Sequence, residues 1–405
     1  MRLVILGGSG AATPELADGL ALWPGGVERR PPLEVVLVSR SVEKLQLVVH
    51  ETARRVSGLT GAPVSVRGET DRRSAIAGAD VVVNAVRIGG LAARVLDETI
   101  PQMFEIPGEE TMGPGGFANA LRTIPALTAT WADIADLAPN ALVIDLTNPA
   151  GIVVMAAERQ SGLRIVCMCD SPATLCDAIA ARLGRSAAQV RQRYVGMNHV
   201  GWWVPESLDE LKLTADLALG EDAGAVLAME AVGGPYLRYY LHPDRILAAQ
   251  RSAHEVRAQQ LQMLESTLLA GFANGADDLP RRGAAWYAKA VLPLVDAWAN
   301  GSGEPLIVGM RNDGRIPGLP SDVTTEAPMA FPSPGVMIPL PAVPLPPLAA
   351  AILAQHAAFE ALAVEAALEV SQDAVLVRAL LANPMVGSYD QAQGLVDAIR
   401  AATPA

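Results

Sequence analysis

The sequence predicts an α/β fold: a doubly wound parallel sheet followed by a mainly helical α+β second part. Three observations carry this. Short apolar runs alternate with helix-period stretches from residue 2 to about 170, the first run ends in a glycine-rich turn, and beyond residue 200 long helical patterns replace the alternation. Apolar strands separated by helices belong in a parallel sheet covered on both faces. The chain has 405 residues, 51% of them hydrophobic, which is more than one ordinary core holds. We therefore divide it into 1–170 and 171–405.

The strand candidates come in order as "RLVIL", "EVVLV", "VSVRG", "DVVVNAV", "ALVIDLT" and "RIVCMC". The first ends in "GGSGAATPEL", where Gly7, Gly8, Ser9 and Gly10 permit a tight turn and Thr13-Pro14 starts a helix. Backbone amides at such a helix start suit a pyrophosphate, the arrangement of a Rossmann-like dinucleotide-binding half. The spacing is not a strict G-x-G-x-x-G, and a plain strand-to-helix turn accounts for it equally well. The second strand ends at Ser39 and Arg40, where an acid usually meets the adenosine ribose. Ser39 and Arg40 suit a 2'-phosphate, so the reading admits NADP as well as NAD. In the second part, "AAAILAQHAAFEALAVEAALEV" reads as a long helix and "PSPGVMIPLPAVPLPP" as an extended surface connection.

Composition narrows the partners. A net charge of −12 disfavours nucleic acid and anionic membranes, which call for a basic surface. No apolar run of about 18 residues reads as a membrane span, and the N-terminus lacks a signal-peptide pattern, so we expect a cytoplasmic location and a small-molecule partner. Three cysteines do not make a disulfide framework.

All three cysteines fall in "CMCDSPATLC". Cys169 and Asp170 lie at the carboxyl end of the last parallel strand, where open sheets bind ligands, while Cys167 and Cys176 read as small buried hydrophobes. No second pair completes a zinc cage. His199, in "GMNHVGWW", reads by itself as a satisfied core histidine; paired with Cys169 it becomes half of an open divalent-metal site. Asn148 in "TNPAG" and Glu110 in "GEETMGPGG" stand at further loop starts facing the same crevice.

The succession "GGSGAATPEL", "RIGGLAARVLDETIP", "GEETMGPGGFANALRTIP", "TNPAG", "CDSP", "MNHVGWW" and "PYLRYYL", continuing into "RNDGRIPGLPSD", resembles glycoside hydrolase family 4. That family departs from the two-carboxylate mechanism of most glycosidases. The resemblance implies the fold of lactate and malate dehydrogenases, with a dinucleotide-binding part over 1–170 and a substrate, metal and oligomerisation part over 171–405. It implies a redox-neutral hydrolysis: NAD oxidises C3 of the sugar, the C2 proton is lost, the glycosidic bond eliminates, water adds and the hydride returns. A divalent ion, Mn2+, stabilises the charge at C2 and C3.

Carried onto this sequence, the resemblance implies Cys169 and His199 as metal ligands and Tyr236 as base for the C2 proton. It implies Asp170 as acid for the leaving group, and Arg94, Glu110, Asn148 and Arg251 as substrate contacts, the two arginines holding a 6-phosphate. The 6-phospho-β-glucosidase type fits best, in a homodimer or homotetramer. Where the family has Gln-Glu-Thr this chain reads Glu109-Glu110-Thr111, which adds a carboxylate near the expected anion site. Competing readings are a 2-hydroxy-acid dehydrogenase of lactate or malate type, which leaves Cys169 unexplained, and a catalytically inactive dinucleotide-binding sensor.

Overall fold

Six parallel strands open one mixed sheet in a computed structural model that describes residues 1–218, 223–276, 278–283, 285–369 and 372–402. They are β1 Arg2–Leu6, β2 Leu33–Val38, β3 Val64–Glu69, β4 Val81–Asn84, β5 Leu142–Asp145 and β6 Ile165–Cys167. These are the six runs read from the sequence, and their spatial order is β3-β2-β1-β4-β5-β6. The burial follows position: every residue of central β4 is buried, whereas edge strand β3 buries none fully. The order reverses between β1 and β4, which opens a crevice at their carboxyl ends.

The sheet continues past residue 170. It gains β7 Tyr194–Met197, β8 Val200–Trp203, β9 Val232–Gly233, β10 Ser302–Arg311, β11 Thr324–Ser333 and β12 Val336–Pro339, all among the helices of the second part. β10 joins β6 antiparallel, with Gly309 opposite Cys167, and the order runs on as β10-β11-β7-β8-β9 with β12 beside β11. The proline-rich passage expected as a connection is partly a hairpin: Gly335, at φ 71°, turns β11 into β12, and only then does the chain run without regular structure to the helix Pro347–Leu368. Glycine accepts that backbone without strain.

Pro347–Leu368 is long and apolar enough to cross a membrane by length and composition, a pattern the sequence reading passed over. It is a core helix. It packs on Gly113–Leu137 and Ala150–Ser161, and it buries His356 and Glu360 together with Phe359 and Val364. The His356 Nδ1 lies 2.8 Å from the Tyr240 hydroxyl, a polar pairing that a lipid-facing surface would not supply.

Candidate active site

A cavity of about 670 Å³ opens at the carboxyl ends of β1, β4, β5 and β6, within the range that holds small ligands and cofactors. Gly7, Gly10 and Thr13 line it after β1, and Ala85, Val86 and Arg87 after β4. Gly7 stands at φ 80°, and a Cβ there would lie 2.6 Å from the Ala85 carbonyl oxygen. Only glycine lets the two strand ends pass so closely. Gly8, Ser9, Ser39 and Arg40 are not part of the lining. Gly8 is wedged against Leu37, the Ser9 hydroxyl donates to Ser39 Oγ at 2.7 Å, and Arg40 points to solvent. The small lining residues and the amides of the turn after β1 suit a dinucleotide's phosphates.

Asn148 enters after β5. Its loop is braced below by a buried pair: Asn84 Nδ2 donates to Asp145 Oδ1 at 2.6 Å, and Thr147 N donates to Asp145 Oδ2. Burial drives the Asp145 carboxyl well above the usual range, against those hydrogen bonds. Cys169 and Asp170 follow β6 at the start of helix Asp170–Leu183, where Cys169 Sγ accepts from Ser171 N at 3.4 Å. Burial, then the carboxylate of Glu326, pushes the Cys169 thiol up to about 12.

His199 arrives from the second part. It is the second residue of a two-residue turn joining β7 to β8, with Met197 paired to Val200. Its φ of 67° is left-handed, an uncommon and strained choice for a non-glycine residue. Burial pushes its pKa down to about 3, so the ring is neutral, and its Nδ1 is buried with no hydrogen-bond partner. Tyr236, from the segment Pro235–Leu237, stacks on it with ring centroids 3.7 Å apart. Burial raises the Tyr236 phenol, and Glu109 raises it further.

Among the described residues no group of three His, Cys, Asp or Glu forms a metal cage. Cys169 and His199 line the same cavity, however, and an orphaned imidazole nitrogen and a thiol are donors that fit a divalent ion with positions left open for a ligand. A cation there would reverse the burial that keeps the thiol protonated.

Glu110 and Arg94 both line the cavity but are bound to each other. Arg94 Nη1 donates to Glu110 Oε1 at 2.6 Å and its Nε to Glu98 Oε1 at 2.6 Å, while Arg87 pairs with the other Glu110 oxygen. Burial opposes the Glu110 charge, but Arg87 and Arg94 outweigh it and hold the carboxyl low. The neighbouring Glu109 carboxylate accepts from Thr111 N and Met112 N at 2.6 Å each, at the start of helix Gly113–Leu137. Burial, then repulsion from Glu110, carries it up to about 7. Gly116 permits this loop, since a Cβ there would lie 1.9 Å from the Thr111 carbonyl oxygen.

Arg251 is the correction. It is exposed, bidentate with Glu105 at 2.6 and 2.7 Å, and outside the cavity. Its neighbour Gln250 faces inward, its amide exchanging hydrogen bonds with Gly108 N and O. One step along a helix turns a side chain by about 100°, so a one-residue misalignment selects the wrong face. The sequence reading missed Arg282, which lines the cavity with its guanidinium 5.6 Å from the Trp286 ring. Burial and then the guanidinium groups of Arg257, Arg94 and Arg87 lower its pKa. Arginines drawn together against their own repulsion would favour an anion between them; the signal available in the sequence was only the pair Arg281-Arg282.

Two family models match the chain: "Family 4 glycosyl hydrolase" over residues 3–185 and "Family 4 glycosyl hydrolase C-terminal domain" over 194–386. The chain is 29% identical to a probable 6-phospho-beta-glucosidase of Bacillus subtilis (strain 168), over 98% of this chain and 95% of that protein. Its fold is similar to the 6-phospho-beta glucosidase of Thermotoga maritima solved with manganese, NAD+ and glucose-6-phosphate, at a TM-score of 0.86 and 25% identity, covering 99% of this chain and 98% of that one. A lactate dehydrogenase of Trichomonas vaginalis, 14% identical at a TM-score of 0.55 over 91% of this chain and 98% of its own, shares the fold alone.

Proposed function

The chain belongs to family 4 of the glycosyl hydrolases, and from that premise we propose that it hydrolyses 6-phospho-β-glucosides in the described cavity, using NAD and Mn2+. The observation that carries the reading is that Cys169, His199 and Tyr236, from three separate segments, line the same cavity as Gly7, Gly10 and Thr13. The bound groups would supply reversible hydride acceptance and Lewis acidity. Residues 1–170 contribute most of the nucleotide cradle together with Arg94, Glu110, Asn148, Cys169 and Asp170, and residues 171–405 bring His199, Tyr236 and Arg282 to the same cavity.

The chain's own residues bind, orient and move protons. Arg282, with Arg94 and Arg87 nearby, attracts the substrate's phosphate. Asn148 and Glu110 orient sugar hydroxyls, Glu110 fixed in place by its two arginines. Tyr236 is the base for the C2 proton: its phenol is raised by burial and carboxylates, and a cation, which Cys169 and His199 would hold, would favour the phenolate. Asp170, beside Cys169 at the helix start, delivers a proton to the leaving oxygen. Neutral His199 is in the protonation state that ligates metal. We place the enzyme in the cytoplasm, as a homodimer or homotetramer; light scattering coupled to size exclusion tests the assembly.

The deciding experiment is hydrolysis of p-nitrophenyl 6-phospho-β-glucoside under reducing conditions with Mn2+ and NAD or NADP, beside the α-anomer and the unphosphorylated sugars. Turnover that needs both metal and nucleotide, with the β-phosphate preferred, is the expected result. Protein that binds nucleotide yet turns over none of them would defeat the proposal.

A further inference from the structure

Glu326 is a carboxylate inside a sheet. It lies on β11 opposite Gly196 of β7 and Gly309 of β10, while Gly309 faces Cys167 of β6 and Gly196 faces Gly201 of β8. The row across five strands therefore reads Cys167, Gly309, Glu326, Gly196, Gly201. Packing excludes side chains at these glycines: a Cβ on Gly309 would lie 2.3 Å from Cys167 Sγ, and one on Gly201 would lie 2.2 Å from the Tyr194 hydroxyl. Cys167, the Gly201 backbone and the Tyr194 ring fill the space at the three glycines, and the Glu326 carboxylate has two donors. Tyr194 Oη donates to Oε2 at 3.3 Å and Asn198 Nδ2 donates to Oε1 at 3.1 Å.

A buried carboxylate with two neutral donors is costly. What this one delivers is orientation. Asn198 is the first residue of the turn whose second residue is His199. With Nδ2 committed to Glu326, the amide oxygen is directed away from it. That Oδ1 is buried without a hydrogen-bond partner, and Asn198 lines the cavity with Cys169 and His199. Buried acceptors are rarely left unpaired.

We propose that Asn198, clamped by Glu326, is a third polar group of the Cys169–His199 site, its Oδ1 receiving an electropositive partner there, either the cation or a hydroxyl of the sugar beside it. The inference rests on reading the cavity as a Mn2+ and sugar-phosphate site. A carboxamide oxygen is a harder donor than thiolate or imidazole and suits manganese or a hydroxyl equally. Glu326 is then a positioning residue, and such supporting groups are worth about 10–100-fold in metal affinity.

The test is calorimetry on the NAD-loaded chain, titrating Mn2+ without sugar and then glucose 6-phosphate at saturating Mn2+. Asn198→Ala should weaken Mn2+ binding about tenfold or more if Oδ1 meets the cation. If it meets a hydroxyl, the variant should instead weaken glucose 6-phosphate binding by that factor with Mn2+ unaffected. NAD affinity should not change in either case, and Asn198→Gly, tolerated in turns, carries the same expectation should the alanine variant not fold. Both affinities within twofold of the parent would overturn the proposal. Glu326→Ala should follow Asn198→Ala and Glu326→Gln, which keeps an acceptor, should restore it; equal loss in both overturns the clamp. A parent that binds NAD but neither Mn2+ nor glucose 6-phosphate instead sinks the reading of the site itself.

Discussion

The Tyr236 ring lies flat against the His199 imidazole, their centroids 3.7 Å apart and their planes within 5°. The stack couples the residue assigned to proton transfer with the one assigned to metal binding. It also buttresses a turn that holds His199 in a left-handed conformation. Tyr236→Phe keeps the ring and removes only the hydroxyl. Its kcat on the aryl 6-phospho-β-glucoside should fall about 100- to 1000-fold, with Mn2+ affinity unchanged by calorimetry. Tyr236→Ala should lose both; a phenylalanine variant of undiminished kcat would remove Tyr236 from the chemistry.

The cysteines should divide by role. Cys169→Ser replaces a thiol that faces the cavity and should abolish Mn2+-dependent turnover while leaving thermal stability close to the parent's. Cys176 is fully buried in a separate apolar cluster with Ile179 and Trp203. Cys176→Ser should keep kcat and cost about 1–2 kcal/mol by burying a hydroxyl, measured by urea denaturation. Equal loss of activity from both would contradict the division.

Phosphate recognition should follow Arg282 and not Arg251. Arg282→Gln should raise KM for the phosphorylated substrate about tenfold or more with kcat little altered, the pattern of lost uniform binding. Arg251→Ala removes an exposed pair with Glu105, of a kind worth little, and should leave KM within about twofold. Steady-state kinetics on both variants separates the two arginines.

Glu109 makes stability and binding pH-dependent. Its carboxyl is carried to about 7 from 4.5, mainly by burial. The folded pKa is the higher one, so the associated stability is fully present below about 4.5 and is lost as pH rises through about 7. Glu109→Gln keeps an oxygen for the amides of Thr111 and Met112. Its advantage in thermal unfolding over the parent should therefore grow from pH 5 to pH 8, reaching on the order of 2 kcal/mol. Over the same range the parent's KM for the phosphosugar should rise more than the variant's, because an ionised Glu109 opposes the arginine field. Parallel pH profiles would show that Glu109 does not titrate in this range.

What was legible in the sequence was local. Six strands were readable because each is a short apolar run bounded by turn residues, and Cys169 and Asp170 were placed because a parallel strand ends where its ligand crevice begins. Arg251 and Arg282 show the opposite case. Both sit outside regular apolar patterns, and which of them enters the cavity depends on the rotation of one helix and the packing of Trp286.

By itself the sequence determined the parallel half of the sheet, the glycine turn after β1 and the family to which the motif order points, since these depend on neighbours along the chain. Only the tertiary structure decided that β10 docks on β6 and extends one sheet into the second part, that Glu326 reaches Asn198 across 128 positions, and that Tyr236 stacks on His199. Those are contacts between segments far apart in the chain. No local period encodes them, because they are set by which buried surfaces and unpaired polar groups satisfy one another once the sheet has formed.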